Sequence, residues 1–312
     1  MRISATDKNS RTLKSMISCV LLIVSLFLLV VYSFTKQAQE KIYDRVIIIG
    51  VDGAGSFVQD LASDDFWSIF EKNNVSFSME VAFPSLSAES WGSMIYSVDP
   101  ETHGLTNDSA KNRKMTNADL PSMFKLVHEQ FPDAEIASIV AWSPINYGII
   151  DGFDGMYLYP SEVLASSLPN EDVVQAAKEY LDSHDPKLLF IHFDGVDHAG
   201  HAYGWGSDEF FDALISAEKD IKTIYEYLGE KNYLENSLFI VTADHGGNGN
   251  KHGGDSEAEM NAMFAIYGDR LNTEEPIGDI HIVDIPSIVL HAFRIDAPEG
   301  RTGVLPEGIF VS

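Results

Sequence analysis

Arg45-Val46-Ile47-Ile48-Ile49-Gly50-Val51 runs directly into Asp52-Gly53. The run is mostly β-branched, shows no polar/apolar alternation and ends in a turn dipeptide, which is how a strand buried on both faces reads. Ile136 to Val140, Leu188 to Phe193 and Leu238 to Thr242 have the same character. Between them lie amphipathic stretches, Leu120 to Phe131, Glu171 to His184 and Asp208 to Leu228; Ala262 to Tyr267 adds a strand and Ile285 to Phe293 a late helix. The alternation predicts an α/β three-layer sandwich with a mostly parallel central sheet covered by helices. No repeat, low-complexity tract or long linker interrupts it.

In open α/β sheets the functional site lies beyond the carboxyl ends of the strands. Acidic residues occupy those ends here: Asp52 after the first run, Asp194 and Asp197 after Leu188–Phe193, and Asp244 after Leu238–Thr242. A single Asp-Gly is ordinary turn punctuation. Here, however, Asp197-His198-Ala199-Gly200-His201 and Thr242-Ala243-Asp244-His245-Gly246-Gly247 each put a carboxylate beside an imidazole. Carboxylate oxygen and imidazole nitrogen are ligands that Zn²⁺ takes in catalytic sites. His252 comes after a Gly/Asn loop and is a further ligand candidate.

The candidate nucleophile lies in Phe83-Pro84-Ser85-Leu86-Ser87-Ala88-Glu89-Ser90-Trp91. The stretch from Ala88 is helical in character, which places Ser87 near a helix N-terminus, where free N–H groups and the dipole favour an anion. A serine hydroxyl needs activation at neutral pH. No Gly-x-Ser-x-Gly elbow surrounds Ser87, so metal coordination is the candidate activator. Without metal ligands, Ser85 and Ser87 read simply as turn or capping residues.

Taken together, VIIIGVDG, FPSLSAESW, DPETHGLTND, DHAGH and TADHGG with the later HGG resemble the alkaline phosphatase superfamily, in the branch of the type I phosphodiesterases and nucleotide pyrophosphatases. The resemblance runs from about residue 45 to 270. It implies two zinc ions, or another divalent metal. Asp197, His201 and His252 would hold one; Asp52, Asp244 and His245 would hold the other, with the Ser87 oxygen facing it. It implies in-line attack by Ser87 and a phosphoserine intermediate that water hydrolyses, a two-metal clamp on attacking and leaving oxygens. Asp194 and His198 do not match ligand positions and read as supporting residues. Ser90 stands three residues after the nucleophile, where the nucleotide pyrophosphatases usually carry an Asn that holds a phosphate oxygen. Ser90 is therefore expected to assist catalysis, together with the Ala88 N–H. Asn107 reads as a loop-fixing residue. Tyr203, Trp205 and Trp91 are aromatic candidates for a nucleotide site, with core packing the stronger reading for Trp91.

Residues 16–34, Met16 to Phe34, are nineteen residues without a formal charge, preceded by Arg2, Lys8, Arg11 and Lys14. That length spans a bilayer, and the basic flank keeps the N-terminus cytosolic. A cleaved signal peptide has a shorter core and a small-x-small site. No Ala-x-Ala comes after the segment, which favours an uncleaved signal anchor, with secretion the outcome if it is cleaved. The expected organisation is a cytoplasmic basic tail at 1–15, a membrane anchor at 16–34 and a metallohydrolase domain at 43–312 on the extracellular, periplasmic or lumenal side. The single cysteine, Cys19, lies in the apolar segment, so no disulfide or thiol chemistry is available to that domain. Asn74-Val75-Ser76 and Asn107-Asp108-Ser109 fit the glycosylation acceptor pattern.

The net charge is −26. Such a surface excludes nucleic-acid duplex binding, which needs basic patches. It also repels an anionic substrate unless bound cations reverse the field locally. The expected activity is hydrolysis of a small phosphorylated substrate, a nucleotide-type phosphodiester or pyrophosphate. A phosphomonoesterase is the near alternative, disfavoured because no Arg or Lys lies in the Ser87 motif. A non-catalytic membrane-anchored binding protein is a second alternative, opposed by six filled ligand positions. The sulfatase motif Cys/Ser-x-Pro-x-Arg is absent around Ser87. The mutases and phosphoethanolamine transferases of the superfamily carry cap domains or several membrane helices, for which this chain has no room.

Overall fold

A computed structural model describes residues 42–60, 68–112 and 120–311. The basic tail and the apolar segment 16–34 lie outside the described residues. Among the described residues, no helix is long and apolar enough to cross a membrane.

In chain order the main elements are β1 (Arg45–Val51), β2 (Val75–Glu80), α1 (Ser87–Tyr96), α2 (Pro100–His103), α3 (Asn107–Lys111), α4 (Met123–Gln130), β3 (Ile136–Val140), β4 (Tyr157–Tyr159), α5 (Asn170–Leu181), β5 (Leu188–Phe193), α6 (Gly195–Tyr203), α7 (Asp208–Glu230), β6 (Ser237–Thr242), α8 (Glu257–Met260), β7 (Asn261–Tyr267) and α9 (Ile285–Ala292). One seven-stranded sheet has the order β2-β7-β6-β1-β5-β3-β4. β1 pairs in parallel with β5 and β6, and β3 with β4 and β5; β7 pairs antiparallel with β2 and β6. The mostly parallel sheet is therefore present.

Every residue of β1, β3, β5 and β6 is buried, which requires cover on both faces. α5, α6 and α7 pack together as one helical group, and α1, α4 and α9 as another. α7 illustrates how the cover forms: Phe210, Leu214, Ala217, Ile221, Ile224 and Leu228 are buried along one face, at helical spacing. Ser207 caps this helix by accepting from the Phe210 N–H at 3.2 Å.

The strands expected from the apolar runs lie where the sequence places them. β2 and β4 carry no buried β-branched run, and the sequence pattern did not mark them. The helix expected from Leu120 starts instead at Met123, because Pro121 cannot continue a helix backward and the Ser122 hydroxyl accepts from the Lys125 N–H at 3.1 Å.

Strand register sets which side chains meet at the carboxyl edge of the sheet. Gly50 pairs with His192 and with Thr242, and Val140 pairs with His192. Counting past the strand ends, Asp244, Asp52, Asp194 and Trp142 fall side by side on β6, β1, β5 and β3.

Gly50 sits where a Cβ would meet the Trp91 ring at 2.4 Å. Gly50→Ala is expected to lower stability by about 1–3 kcal/mol through overpacking, measured by urea unfolding; an unchanged midpoint would contradict this packing.

Candidate active site

Ser87 opens α1, whose remaining residues from Ala88 to Tyr96 are all buried. Its Oγ lies 3.2 Å from His245 Nε2 and 3.4 Å from Asp52 Oδ1. Asp52 and Asp244 bring their carboxylates to the same point from neighbouring strands. His245 Nε2 is 3.4 Å from Asp52 Oδ1 and 3.3 Å from Asp244 Oδ2. Alongside, His252 Nε2 is 3.2 Å from His201 Nε2 and 3.7 Å from Asp197 Oδ1, and His201 Nε2 is 3.5 Å from Asp197 Oδ2.

These separations fit a metal. Two ligands about 2.1 Å from one tetrahedral ion lie roughly 3.4 Å apart. Asp52, Asp244 and His245 offer ligand atoms within 4.8 Å of one another, and so do Asp197, His245 and His252. Asp197 Oδ1 and Asp244 Oδ2 are buried with no hydrogen-bond partner, a costly state that a cation relieves.

The histidines are oriented alike. His245 Nδ1 lies 2.9 Å from the Gly246 carbonyl, His252 Nδ1 2.8 Å from the Ser85 carbonyl and His201 Nδ1 3.1 Å from the Asn250 carbonyl. A carbonyl only accepts, so each Nδ1 carries a proton and each Nε2 points inward as the atom a metal would take, the arrangement of metal-ligating histidines. His198 lacks this bond and instead faces Asp194 Oδ2 at 3.4 Å.

A further ring of side chains fixes the carboxylates. Asp52 Oδ2 accepts from Trp91 Nε1 at 2.9 Å and lies 3.1 Å from His192 Nε2. That oxygen is fully engaged, so His192, although close to both Asp52 and Asp194, supports Asp52 through a hydrogen bond. Asp244 Oδ1 accepts from the Gly53 N–H at 3.1 Å. Gly53 has φ 71°, and a Cβ there would meet Asp197 Cα at 2.9 Å, so glycine permits both the turn and the close approach of α6.

The electrostatics are set by burial. Burial raises Asp244 well above the usual carboxylate range and Asp197 to about 8, with the Asp52 charge adding to both. Asp52 is equally buried, yet hydrogen bonds from His192 and His245 hold it well below that range. Burial favours neutral His245, but Asp244 and Asp52 outweigh it and raise the imidazole to about 10. Burial, and then the charge of His245, lower His252 to about 4.

All the proposed ligands and Ser87 are thus brought together, but Ser90 is not. One turn down α1 it lies inside the protein, fully buried, its hydroxyl donating to the Ala82 carbonyl at 3.4 Å. The group beside the nucleophile is Asn107, whose Oδ1 accepts from the Ala88 N–H at 2.9 Å. This occupies the backbone donor expected to serve the phosphate. Of the two glycosylation patterns, the one at Asn74 presents no surface amide, because Asn74 is 3% exposed. Trp91 and Trp205 support the site through their indole N–H groups, Trp205 donating to the Gly53 carbonyl at 2.8 Å; Tyr203 stays exposed.

Ser87 opens onto a cavity of about 440 Å³ whose walls include Asn107, Lys111, Trp142, Asp194, Asp197 and His198. Lys111 and Trp142 carry no motif, and only the fold brings them here.

A mostly parallel sheet with this acid and imidazole set at its strand ends, facing a serine at a helix start, defines the alkaline phosphatase superfamily. The family of type I phosphodiesterase / nucleotide pyrophosphatase matches residues 46–292, and the chain belongs to it. Among curated relatives, GPI ethanolamine phosphate transferase 2 of Kluyveromyces lactis is 24% identical over 86% of this chain and 37% of its own length. The Aspergillus fumigatus protein of the same name is 24% identical over 75% of this chain and 31% of its own. The chain thus spans about a third of the length of these relatives. Among solved structures, murine ectonucleotide pyrophosphatase / phosphodiesterase 5 superposes with TM-score 0.68 at 14% identity, covering 83% of this chain and 97% of that one. A 2-O GAG sulfatase does so with TM-score 0.64 at 13% identity, over 84% and 73%. The transferase relatives correct the exclusion of that branch on chain length: the sheet-bearing domain matches within chains that are longer.

Chelation is expected to lower the melting temperature, and Zn²⁺ at a hundredfold over its dissociation constant to restore about 2.7 kcal/mol. The ligands must lose protons to bind, so at one fixed zinc concentration the gain is larger at pH 8 than at pH 6. Calorimetry at both pH values checks this; a melting temperature indifferent to divalent metal would oppose a metal centre here.

Proposed function

We propose that this domain cleaves a phosphodiester bond, with Ser87 as nucleophile. The observation that carries the reading is the common orientation of His201, His245 and His252, whose Nε2 atoms and the unpartnered carboxylate oxygens converge next to Ser87 Oγ. Asp52, Asp244 and His245 would hold one divalent ion beside Ser87, and Asp197, His201 and His252 a second. Zn²⁺ suits this donor set and would supply charge neutralisation for the phosphate and for the attacking and leaving oxygens.

The chain's own part is positioning. Ser87 at the start of α1 forms a bond to phosphorus as the bond to the departing alcohol breaks and that alcohol takes up the serine proton, leaving Ser87 esterified to a phosphate that keeps its other ester group. Asn107, anchored through its Oδ1, keeps its amide N–H groups for a phosphate oxygen. Water then forms a bond to that phosphorus as the bond to Ser87 Oγ breaks and the serine regains a proton, releasing a phosphomonoester, which is hydrolysis of nucleotide-type or other small diesters. An alcohol acceptor gives transfer, and transfer of ethanolamine phosphate is the second reading, favoured by the names of the curated relatives.

A phosphomonoesterase gains one argument, because Lys111 on the cavity wall supplies the basic group that the serine motif lacks. The non-catalytic reading has no lost ligand to support it. The basic flank of residues 16–34 supports placement of the domain outside the cytosol, held at the membrane by that segment.

Rates on paired aryl phosphate mono- and diesters with zinc supplied test the reading; no turnover of either would overturn it. Ser87→Ala is expected to cut turnover about 10³-fold or more while metal content measured by mass spectrometry stays near that of the parent. Asn107→Ala is expected to cost about 10²-fold in kcat. An effect confined to KM would mean that Asn107 serves binding alone.

A further inference from the structure

The row of strand-end residues continues past the candidate metal ligands. Asp244 and Asp52 are succeeded on β5 by Asp194 and on β3 by Trp142, as the registers of β6, β1, β5 and β3 require. Asp194 and Trp142 line the same cavity as Ser87.

Asp194 occupies the N-cap position of α6, the place where an aspartate ordinarily bonds to the helix amides. It makes no such bond. Asn170 Oδ1 accepts from the Gly195 N–H instead, at 3.4 Å. The Asp194 carboxylate is thereby released toward the cavity while remaining only 5% exposed. Among the described residues its partners are the exposed His198 at 3.4 Å and the Ser167 hydroxyl, with no lysine or arginine among them. Beside it the half-buried Trp142 indole, with Pro144 and Leu164, forms an apolar wall. That wall is tied to the end of β3: the Leu164 N–H donates to Ser143 Oγ at 2.9 Å and the Leu168 N–H to the Ala141 carbonyl at 3.1 Å. The cation on the cavity wall, Lys111, lies one helical turn from Asn107 on α3, and so on the side that anchors the Ala88 N–H.

A buried carboxylate next to an aromatic face is the chemistry that recognises an organic cation. It repels a further phosphate. We propose that this end of the cavity is an ammonium subsite: the substrate is a phosphodiester of an amino alcohol, its charged nitrogen held between the Asp194 carboxylate and the Trp142 indole while its phosphorus sits at Ser87. Asp194 and Trp142 then determine specificity in a reaction performed by Ser87 and the metal ligands. The assignment rests on the phosphodiester reading of the site. It adds which end of the cavity takes the amine, and through which side chains.

The test uses the full-length chain loaded with zinc. Values of kcat/KM are compared for 4-nitrophenyl phosphoethanolamine, 4-nitrophenyl phosphocholine and the uncharged 4-nitrophenyl propyl phosphate. The expected preference for an amine ester is about tenfold, carried by KM. Asp194→Asn is expected to bring the ratio near one and Trp142→Ala to lower it, whereas Trp142→Phe retains most of it. The better of the two amines tells a primary from a quaternary ammonium. In parallel, tryptophan fluorescence of Ser87→Ala is titrated with phosphocholine, phosphoethanolamine and propyl phosphate, which reads the subsite without turnover. Equal binding of the charged and uncharged ligands, or an amine preference that survives Asp194→Asn, would overturn the subsite. Selective amine binding without turnover of any diester by the parent chain would support the subsite and overturn the phosphodiester chemistry.

Discussion

Asp52, Asp194, Asp197 and Asp244 converge at the ends of three adjacent strands with exposures of 1, 5, 8 and 0%, and negative charges at that depth repel one another strongly. Much of the surrounding structure answers this constraint. Trp91, His192 and the Gly53 amide each donate to one of these carboxylates. His245 lies between two of them. Two carboxylate oxygens nevertheless remain unpartnered. The protein donors stop short of neutralising the charge, and the residues left over form groups that could hold a metal ion. The net charge of −26 sharpens the point, since it adds long-range repulsion of any anion to the crowding of carboxylates at the strand ends.

The parts of the fold that were legible in the sequence are those with a single physical cause. A strand buried on both faces must be apolar throughout, and β1, β3, β5 and β6 read so; β2 is an edge strand with partly exposed serines and carries no comparable signal. The metal-ligand candidates were legible because carboxylate and imidazole occur at the strand ends within short motifs. What escaped depends on distance in the sequence. Ser90 has the right spacing from Ser87 but the helix turns it inward. Asn107 lies twenty residues on from Ser87 yet reaches the Ala88 N–H, because α3 folds back over the start of α1. Trp142 and Lys111 belong to no motif; one reaches the cavity by the register of β3 with β5, the other by lying on α3.

The same fold is found in proteins named as a nucleotide pyrophosphatase and a sulfatase, and the sequence is similar to that of proteins named as transferases, so the sheet does not choose among these chemistries. That choice falls to the cavity walls. Here one wall carries an amide and a lysine, and another a carboxylate and an indole. Such a division favours a molecule with unlike charges at its two ends over one that is anionic throughout.

His252 donates its Nδ1–H to the carbonyl of Ser85, 167 residues earlier and two before the nucleophile, and the Gly253 N–H donates to the hydroxyl of the same serine at 3.0 Å. The segment that leads into Ser87 is therefore pinned by one of the last parts of the candidate site to be synthesised. A chain elongated only as far as β5 contains Ser87 but neither the anchor for its loop nor His245 beside its hydroxyl. The surroundings of Ser87 are therefore complete only after β6 and the loop beyond it have joined the sheet.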